Sequence, residues 1–155
     1  MLKVVNGDMF TATLNQNCVV VHGCNAQGKM GSGVAAIVKK LYPMAELKYR
    51  QVYKRSGLKL GQVIWVPPEL DRPGVTIANA ITQQFYGYDG RLYVSYDAVI
   101  ESLEEVKKLA AGKPIHLPFI GGKRGGGDKK RLMAIFQAVF HDGDATLWLH
   151  DDEEV

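Results

Sequence analysis

Two glycine-rich segments of this sequence each follow an apolar run and precede a stretch with helical periodicity. The first, VHGCNAQGKMGSGV, covers residues 21–34 and places a histidine and an asparagine near the end of its apolar run. The second, IGGKRGGGD, covers residues 120–128. Backbone N–H groups in a glycine turn before a helix donate outward, and the helix dipole adds partial positive charge. Two such loops predict a site that clasps a diphosphate, although glycines can also serve turns alone.

The spacing of these glycines excludes the two common phosphate-binding motifs. Neither segment contains GxxxxGK followed by Ser or Thr, and Gly28, Gly31 and Gly33 form GxxGxG rather than GxGxxG. No metal-ligand spacing links the four histidines, which are His22, His116, His141 and His150. The sequence therefore predicts a phosphate site of another kind, without a metal or other cofactor.

Elsewhere in the chain, apolar runs alternate with stretches of helical periodicity. Strands are predicted at 2–5, 18–21, 62–66, 75–80, 115–120 and 145–149, and helices at 34–41, 44–53, 96–111 and 130–141. This alternation predicts a three-layer α/β/α sandwich with a mostly parallel, six-stranded mixed sheet. Ligands of such sheets bind beyond the carboxyl ends of the strands, where both glycine segments lie.

The composition is typical of one globular domain in a reducing compartment. The 155 residues are 46% hydrophobic and 23% charged, and no apolar run reaches the roughly 18 residues of a membrane span. Cys18 and Cys24 are poor candidates for a disulfide framework. Four of the 16 acidic residues lie at 151–154, so the formal charge of +3 becomes +7 for the remainder, which favours anionic ligands. We expect a single cytoplasmic, monomeric domain over 1–150 and an acidic tail over 151–155.

Four segments together resemble the macrodomain family, whose members bind ADP-ribose. They are NGDMF (6–10), VHGCNAQGKMGSGVAAIV (21–38), IANAITQQFYG (77–87) and LPFIGGKRGGGD (117–128). The order of predicted strands and helices agrees along nearly the whole chain. The resemblance is greatest to the branch of ADP-ribose 1''-phosphate phosphatases and terminal ADP-ribose glycohydrolases, and particularly to its phage-like members. It implies a host-cytoplasm location for a phage-encoded protein, and ADP-ribose or ADP-ribose 1''-phosphate as ligand.

The resemblance implies a position for each part of ADP-ribose. Asp8 would accept a hydrogen bond from the adenine amine beside the Met9 main chain, although an aspartate here also suits a helix N-cap. Asn25 would hold the hydroxyls of the distal ribose. Aromatic residues of the following loop would shelter that ribose or simply pack, and they are Phe85, Tyr86, Tyr88 and Tyr93.

The same resemblance assigns the two glycine segments to the phosphates. The ligand-binding positions would be Gly31, Ser32, Gly33 and Val34 in the first segment, and Ile120, Gly121, Gly122, Lys123, Arg124, Gly125 and Gly126 in the second. Lys123 and Arg124 stand where many relatives have small or apolar residues. These two cations would add charge opposite a terminal phosphate, or else face solvent.

Three residues are candidates for catalysis, namely His22, Asn25 and Asp128. His22 would pass a proton to a leaving group or activate water, and its alternative role is that of a buried histidine satisfied by a neighbouring carbonyl. Asp128 would reach the ligand if its loop folds back, and would otherwise cap the last helix. Glycohydrolase relatives use a lysine that attacks the ribose, whereas this chain has Gln83 or Gln84 there. Glutamine cannot form the required imine.

The sequence as a whole predicts a macrodomain that binds ADP-ribose and hydrolyses ADP-ribose 1''-phosphate to ADP-ribose and phosphate. A binding module without catalysis, or a hydrolase of protein-linked ADP-ribose, are the alternatives, because binding residues supply nearly all of the pattern. Nucleic-acid binding is disfavoured, because no aromatic residues interleave the basic positions Lys123, Arg124, Lys129, Lys130 and Arg131.

Overall fold

A computed structural model describes residues 1–87, 89–123 and 125–150 of the chain. The strands within these residues are β1 (Leu2–Asn6), β2 (Cys18–Asn25), β3 (Val63–Val66), β4 (Val75–Gln83), β5 (Ile115–Pro118) and β6 (Ala145–Leu149). The helices are α1 (Met9–Thr13), α2 (Gly33–Leu41), α3 (Pro43–Ser56), α4 (Tyr96–Ala110) and α5 (Lys129–Val139). Tyr88, Arg124 and the predicted acidic tail at 151–155 lie outside the described residues.

The strands form one sheet in the order β1-β6-β5-β2-β4-β3. Neighbouring strands run parallel except β3, which is antiparallel to β4. The predicted mixed, mostly parallel six-stranded sheet is therefore confirmed. Because β1, β6, β5, β2 and β4 run in the same direction, their carboxyl ends share one edge of the sheet.

Two apolar cores cover the two faces of this sheet. Val19 and Val21 of β2 pack in the core that α4 and α5 close, whereas Cys18 and Val20 pack in the core beneath α2 and α3. All four side chains are essentially inaccessible to solvent. A strand buried on both faces is apolar at consecutive positions, which explains its unbroken run in the sequence. The three-layer α/β/α arrangement is thus confirmed.

Several elements differ from their predicted bounds. β2 continues to Asn25 because it pairs with β4 beyond the apolar run, through His22–Asn79 and Cys24–Ile81. α1 has only five residues, too few for a periodic pattern to predict it. β5 ends at Pro118 rather than at 120, since the chain turns there and the Ile120 amide donates to the Pro118 carbonyl.

No helix in the described part of the chain combines the length and the apolar character needed to cross a bilayer. The longest, α4, has 15 residues, and its buried side chains include Val99, Leu103 and Val106. Those residues face the sheet, as the sequence periodicity predicts.

The amino ends of β2 and β4 are held together by a close approach of backbone at Gly74. Its carbonyl accepts a hydrogen bond from the Cys18 amide at 3.2 Å, and its φ of +88° is one that side-chain-bearing residues rarely adopt. A Cβ added there would lie 2.6 Å from the Gln16 carbonyl oxygen. Glycine is therefore required at this position by conformation and by space.

We expect Gly74→Ala to lower the free energy of unfolding by about 1–3 kcal/mol more than Gly112→Ala does. Gly112 shares the unusual backbone conformation, with φ of +90°, but an added Cβ there meets nothing within 4 Å. The control variant thus carries the conformational strain without the collision. Urea denaturation of both variants measures the difference, and equal losses would contradict the steric role of Gly74.

Candidate functional site

A cavity of about 540 Å³ opens along the carboxyl edge of the sheet. Residues at the ends of β1, β6, β5, β2 and β4 line it, together with the start of α1 and the start of α2. Five adjacent strands span about 19 Å, since neighbouring strands lie about 4.8 Å apart. The cavity therefore has the volume and the reach for an elongated ligand of nucleotide size.

Most of the predicted binding residues line this cavity. They are Asp8, Met9, Asn25, Gly31, Ser32, Gly33, Val34, Ile120, Gly121, Lys123 and Gly125. The structure does not bring His22, Gly122, Gly126 or Asp128 to the cavity wall. The predicted site residues thus divide into those that line the cavity and those that do not.

The first glycine segment borders open space. A Cβ added at Gly31 or at Gly33 would meet nothing within 4 Å, and both residues line the cavity. Gly33 begins α2 with a φ of +61°, so its backbone conformation itself favours glycine. For Gly31, neither the backbone conformation nor packing against the described residues requires a glycine. Its bare backbone is instead open to close approach by a ligand from the cavity.

The second glycine segment is shaped by packing within the chain. The Gly125 carbonyl accepts from the amides of Tyr93 and Val94 at 2.7 and 2.9 Å, and the Gly127 amide donates to the Gly121 carbonyl at 2.8 Å. A Cβ added at Gly125 would lie 2.7 Å from the Gly121 oxygen.

Two further glycines of this segment are required by packing. A Cβ added at Gly126 would collide with the Arg91 carbonyl, and one added at Gly122 would lie 2.5 Å from the Phe119 ring. Neither lines the cavity, and their contact with a ligand stays a prediction. They let the segment fold tightly against its neighbours.

Asp8 caps α1 at the β1 end of the cavity. One carboxylate oxygen accepts from the Phe10 amide at 3.0 Å and the other from the Thr11 hydroxyl at 2.8 Å. The Thr11 hydrogen bond is the main cause of a lowered pKa for Asp8, and backbone hydrogen bonds add to it. The N-cap interpretation is confirmed. Asp8 also lines the cavity, and its contact with a ligand stays a prediction.

Asn25 organises the turn that follows β2. Its side-chain oxygen accepts from the Gln27 amide at 2.9 Å, and its Nδ2 donates to the Lys29 carbonyl at 2.9 Å. The Tyr49 hydroxyl donates to the Asn25 backbone carbonyl at 2.6 Å and lies 3.0 Å from the side-chain oxygen. The amide group has a second N–H, for which no acceptor is found in residues 1–87, 89–123 and 125–150. Asn25 therefore fixes this end of the cavity and retains one donor for a ligand.

His22 is fully buried and does not line the cavity. Its Nε2 lies 2.6 Å from the Asn79 side-chain oxygen, and the Asn79 Nδ2 donates to the Ala45 carbonyl at 3.0 Å. Because a carbonyl only accepts, the Asn79 oxygen must face His22, and Nε2 carries the proton. Burial lowers the pKa of His22 to about 4, so the ring is neutral at pH 7.

The ring of His22 does not line the cavity, and its catalytic role stays a prediction. The alternative, a buried and satisfied histidine, agrees with its contacts, except that the partner is a side-chain amide rather than a backbone carbonyl. The thiol of Cys24 lies 3.6 Å from Nε2 and does line the cavity. Burial raises the pKa of that thiol, which keeps it protonated.

Asp128 caps α5 and lies away from the cavity wall. Its carboxylate accepts from the Lys130 amide at 3.0 Å, and its own amide donates to the Tyr96 hydroxyl at 2.9 Å. The guanidinium of Arg131 stacks on the Tyr96 ring at 3.9 Å. The N-cap interpretation is confirmed, and the contact of Asp128 with a ligand stays a prediction.

Several cavity residues were not identified from the sequence. They are Gly7, Phe10, Gly23, Cys24, Lys29, Ala35, Ile37, Thr82, Pro118, Phe119, Trp148 and His150. Trp148 lies near the end of β6 and His150 follows that strand. β6 lies between β1 and β5 although it is the last strand in the chain. Their position at the carboxyl end of a predicted strand could have indicated them as cavity residues. The order of the strands in the sheet could not be obtained from the sequence. No group of three His, Cys, Asp or Glu residues in the described ranges could hold a metal ion.

The buried pair of His22 and Asn79 predicts a pH-dependent stability. The pKa of His22 falls from 6.5 to about 4 on folding, so the unfolded chain binds the extra proton between these values. The resulting stabilisation is complete above pH 6.5 and is lost towards pH 4, by about 3 kcal/mol. We expect the stability difference between the parent and His22→Gln to shrink by this amount from pH 7 to pH 4. Chemical denaturation measures it, and a difference independent of pH would contradict the assignment.

The chain is similar in sequence to enzymes that act on ADP-ribose derivatives, although no family model matches it. An ADP-ribose 1''-phosphate phosphatase of Candida albicans is 30% identical over 87 residues, and the chain spans about half of that relative, 54% of its length. The phosphatase of Lodderomyces elongisporus is 28% identical over 74% of this chain and 71% of its own. A DNA ADP-ribosyl glycohydrolase of Mycobacterium tuberculosis is 26% identical over 96% of this chain and 42% of its own.

Solved structures agree with the fold over nearly the whole chain. The macrodomain of Mycobacterium tuberculosis DarG has a TM-score of 0.79 at 25% identity and covers 96% of this chain and 97% of its own. A macrodomain protein from Streptomyces coelicolor has a TM-score of 0.77 at 26% identity and covers 99% of this chain and all of its own. This chain is thus similar in fold to solved macrodomains and similar in sequence to enzymes that act on ADP-ribose derivatives.

Proposed function

We propose that this chain binds ADP-ribose in the cavity along the carboxyl edge of the sheet. The observation that carries the proposal is the arrangement of the cavity wall, with the Asp8 carboxylate at the β1 end, bare glycine backbone beside α2, and Asn25 after β2. ADP-ribose presents an amine, a diphosphate and a diol in the same order. Each group thus meets a partner of complementary chemistry.

The adenine end would lie by Asp8 and Met9. The carboxylate would accept from the exocyclic amine, and its lowered pKa keeps it charged at neutral pH. The diphosphate would contact the backbone at Gly31 and Gly33, where no side chain intervenes, and the first turn of α2 adds partial positive charge. The remaining N–H of Asn25 would donate to a hydroxyl of the distal ribose.

We also propose that the site hydrolyses ADP-ribose 1''-phosphate, the reaction named for the Candida and Lodderomyces relatives. Water would attack phosphorus, the bond from phosphorus to the 1'' oxygen would break, and that oxygen would take up a proton. Lys29 and Lys123 lie exposed on the cavity wall, and no ion pair to either is found among the described residues. Their charges would stabilise the phosphoryl group in the transition state.

A binding module without catalysis is a second candidate. The observation that favours it is the position of His22 and Asp128, which leaves the cavity without either predicted acid–base group. The same cavity would then hold free or protein-linked ADP-ribose unchanged. Removal of ADP-ribose through a lysine adduct is disfavoured in both cases, because the resemblance places that lysine at Gln83 or Gln84, and glutamine cannot form the imine.

The composition and the family resemblance support three further elements of the proposal. The protein would act as a monomer in a cytoplasm, where Cys18 and Cys24 stay reduced. Residues 1–150 would form a single domain. The chain would belong with the phage-like members of the branch that contains the phosphatases.

We expect Gly31→Ala to weaken ADP-ribose binding about tenfold or more, because a methyl group would occupy space that the phosphates approach. Isothermal titration calorimetry measures the affinity, and thermal denaturation should show little change for this variant. Gly143→Ala is the control for a methyl group added in open space away from the cavity. Its φ of +92° makes it the more strained of the two substitutions, so a loss of affinity confined to Gly31→Ala is not due to backbone strain. Failure of the parent to bind ADP-ribose would refute the proposed function.

We expect the parent to release phosphate from ADP-ribose 1''-phosphate, and Lys29→Gln or Lys123→Gln to lower kcat/KM about tenfold, since each removes one cation from the cavity wall. Lys40→Gln, an exposed position of α2 outside the cavity, serves as control. A colorimetric phosphate assay gives the rates. Tight binding of ADP-ribose without phosphate release would favour the binding module instead.

A further inference from the structure

Trp148 forms part of the cavity wall beside Asp8, and its indole ring lies against the backbone of Gly7. A Cβ added at Gly7 would be 3.2 Å from the ring atom Cζ3 and 3.6 Å from Cε3. Glycine therefore leaves a flat surface on which the ring rests. Such a contact fixes the plane of the ring but permits it to slide or turn within that plane.

A hydrogen bond to β5 removes this remaining freedom. The indole N–H of Trp148 donates to Nδ1 of His116 at 2.9 Å, and the two ring centroids are 6.0 Å apart. Because an indole nitrogen only donates, Nδ1 must be unprotonated and the proton of a neutral ring must sit on Nε2. The chemistry of the partner thus determines the tautomer.

The environment of His116 favours the neutral ring that this bond requires. Partial burial is the main cause of a lowered pKa for His116, and the charge of Lys3 acts in the same direction. The carboxylate of Asp144 opposes both. Asp8 and His150 are titratable groups of the cavity wall that follow β1 and β6 in the chain.

We propose that His116 is a positioning residue, which accepts the indole N–H of Trp148 and so holds that ring as the wall of the cavity beside Asp8. This proposal rests on the proposed binding of ADP-ribose, whose adenine would lie at this end. His116 itself does not line the cavity, so it would act on the ligand only through Trp148. Its effect should be confined to the half of the ligand that carries the base.

The test uses Trp65→Phe as background, because Trp65 lies on β3 outside the cavity and is the other of the two tryptophans. In that background Trp148 alone reports by fluorescence. His116→Phe removes the acceptor and keeps a ring, whereas His116→Gln retains an acceptor oxygen. We expect His116→Phe to shift the Trp148 emission and to raise Kd at least fivefold for both AMP and ADP-ribose, by the same factor. His116→Gln should stay within twofold of the background.

A pH titration gives a readout that general loss of structure would not produce. As the pH falls through the pKa of His116, below its ordinary value of 6.5, protonation of Nδ1 removes the acceptor. Affinity for AMP should therefore decline more steeply in the background protein than in His116→Gln, which shares Asp8, His150, Asp144 and Lys3. The difference between the two profiles isolates His116 from those groups.

Three results would overturn the proposal. They are an unchanged emission in His116→Phe, equal weakening of binding by the Phe and Gln variants, and parallel pH profiles. If the parent binds neither AMP nor ADP-ribose, the proposed function fails. The fluorescence emission of Trp148 in His116→Phe still decides whether His116 holds the ring. An emission shift in His116→Phe that is absent from His116→Gln would then support positioning without a nucleotide ligand.

Discussion

The parallel pairing of β2 with β4 is the interaction on which the rest of the site depends. It runs from Cys18–Val75 to Cys24–Ile81, and the side chains of the opposed pair His22 and Asn79 hydrogen bond at 2.6 Å. Asn79 in turn donates to the Ala45 carbonyl at the start of α3, so the sheet and the helical layer are joined at this point. The segment with Asn25 and the cavity-lining glycines Gly31 and Gly33 follows closely after this pair. A buried polar link so close to the cavity would fix the site without taking part in its chemistry.

The burial of His22 could be predicted only in part from its position along the strand. Side chains alternate along a strand, so His22 shares a face with Cys18, Val20 and Cys24, all of which are buried beneath the helices. That alternation predicts a buried histidine, provided that the strand is known to continue past Val21. The apolar run stops there, and only the pairing with β4 reveals the continuation. Long-range pairing, not local composition, extends this strand, so its full length could not be predicted from the sequence.

The roles of the glycines in the two segments could also be predicted only in part. Gly31 and Gly125 lie in segments with the same pattern, yet one borders open space and the other contacts the backbone of its own loop. Sequence spacing locates both segments at strand ends, but it cannot separate a glycine that a ligand requires from one that packing requires. Trp148 and His150 were missed for a related reason, since β6 reaches the site only through its place between β1 and β5.

The central claim is that one ligand spans the cavity from Asp8 to Asn25. The most direct measurement is a titration of the ¹⁵N-labelled protein with ADP-ribose, followed by amide chemical shifts. Binding in the proposed orientation predicts saturable shifts at Met9 and Phe10, at Gly31 to Val34, and at Gln27 and Lys29, with the amides of β3 unaffected. Shifts confined to one of these segments, or no saturable shifts at all, would contradict it.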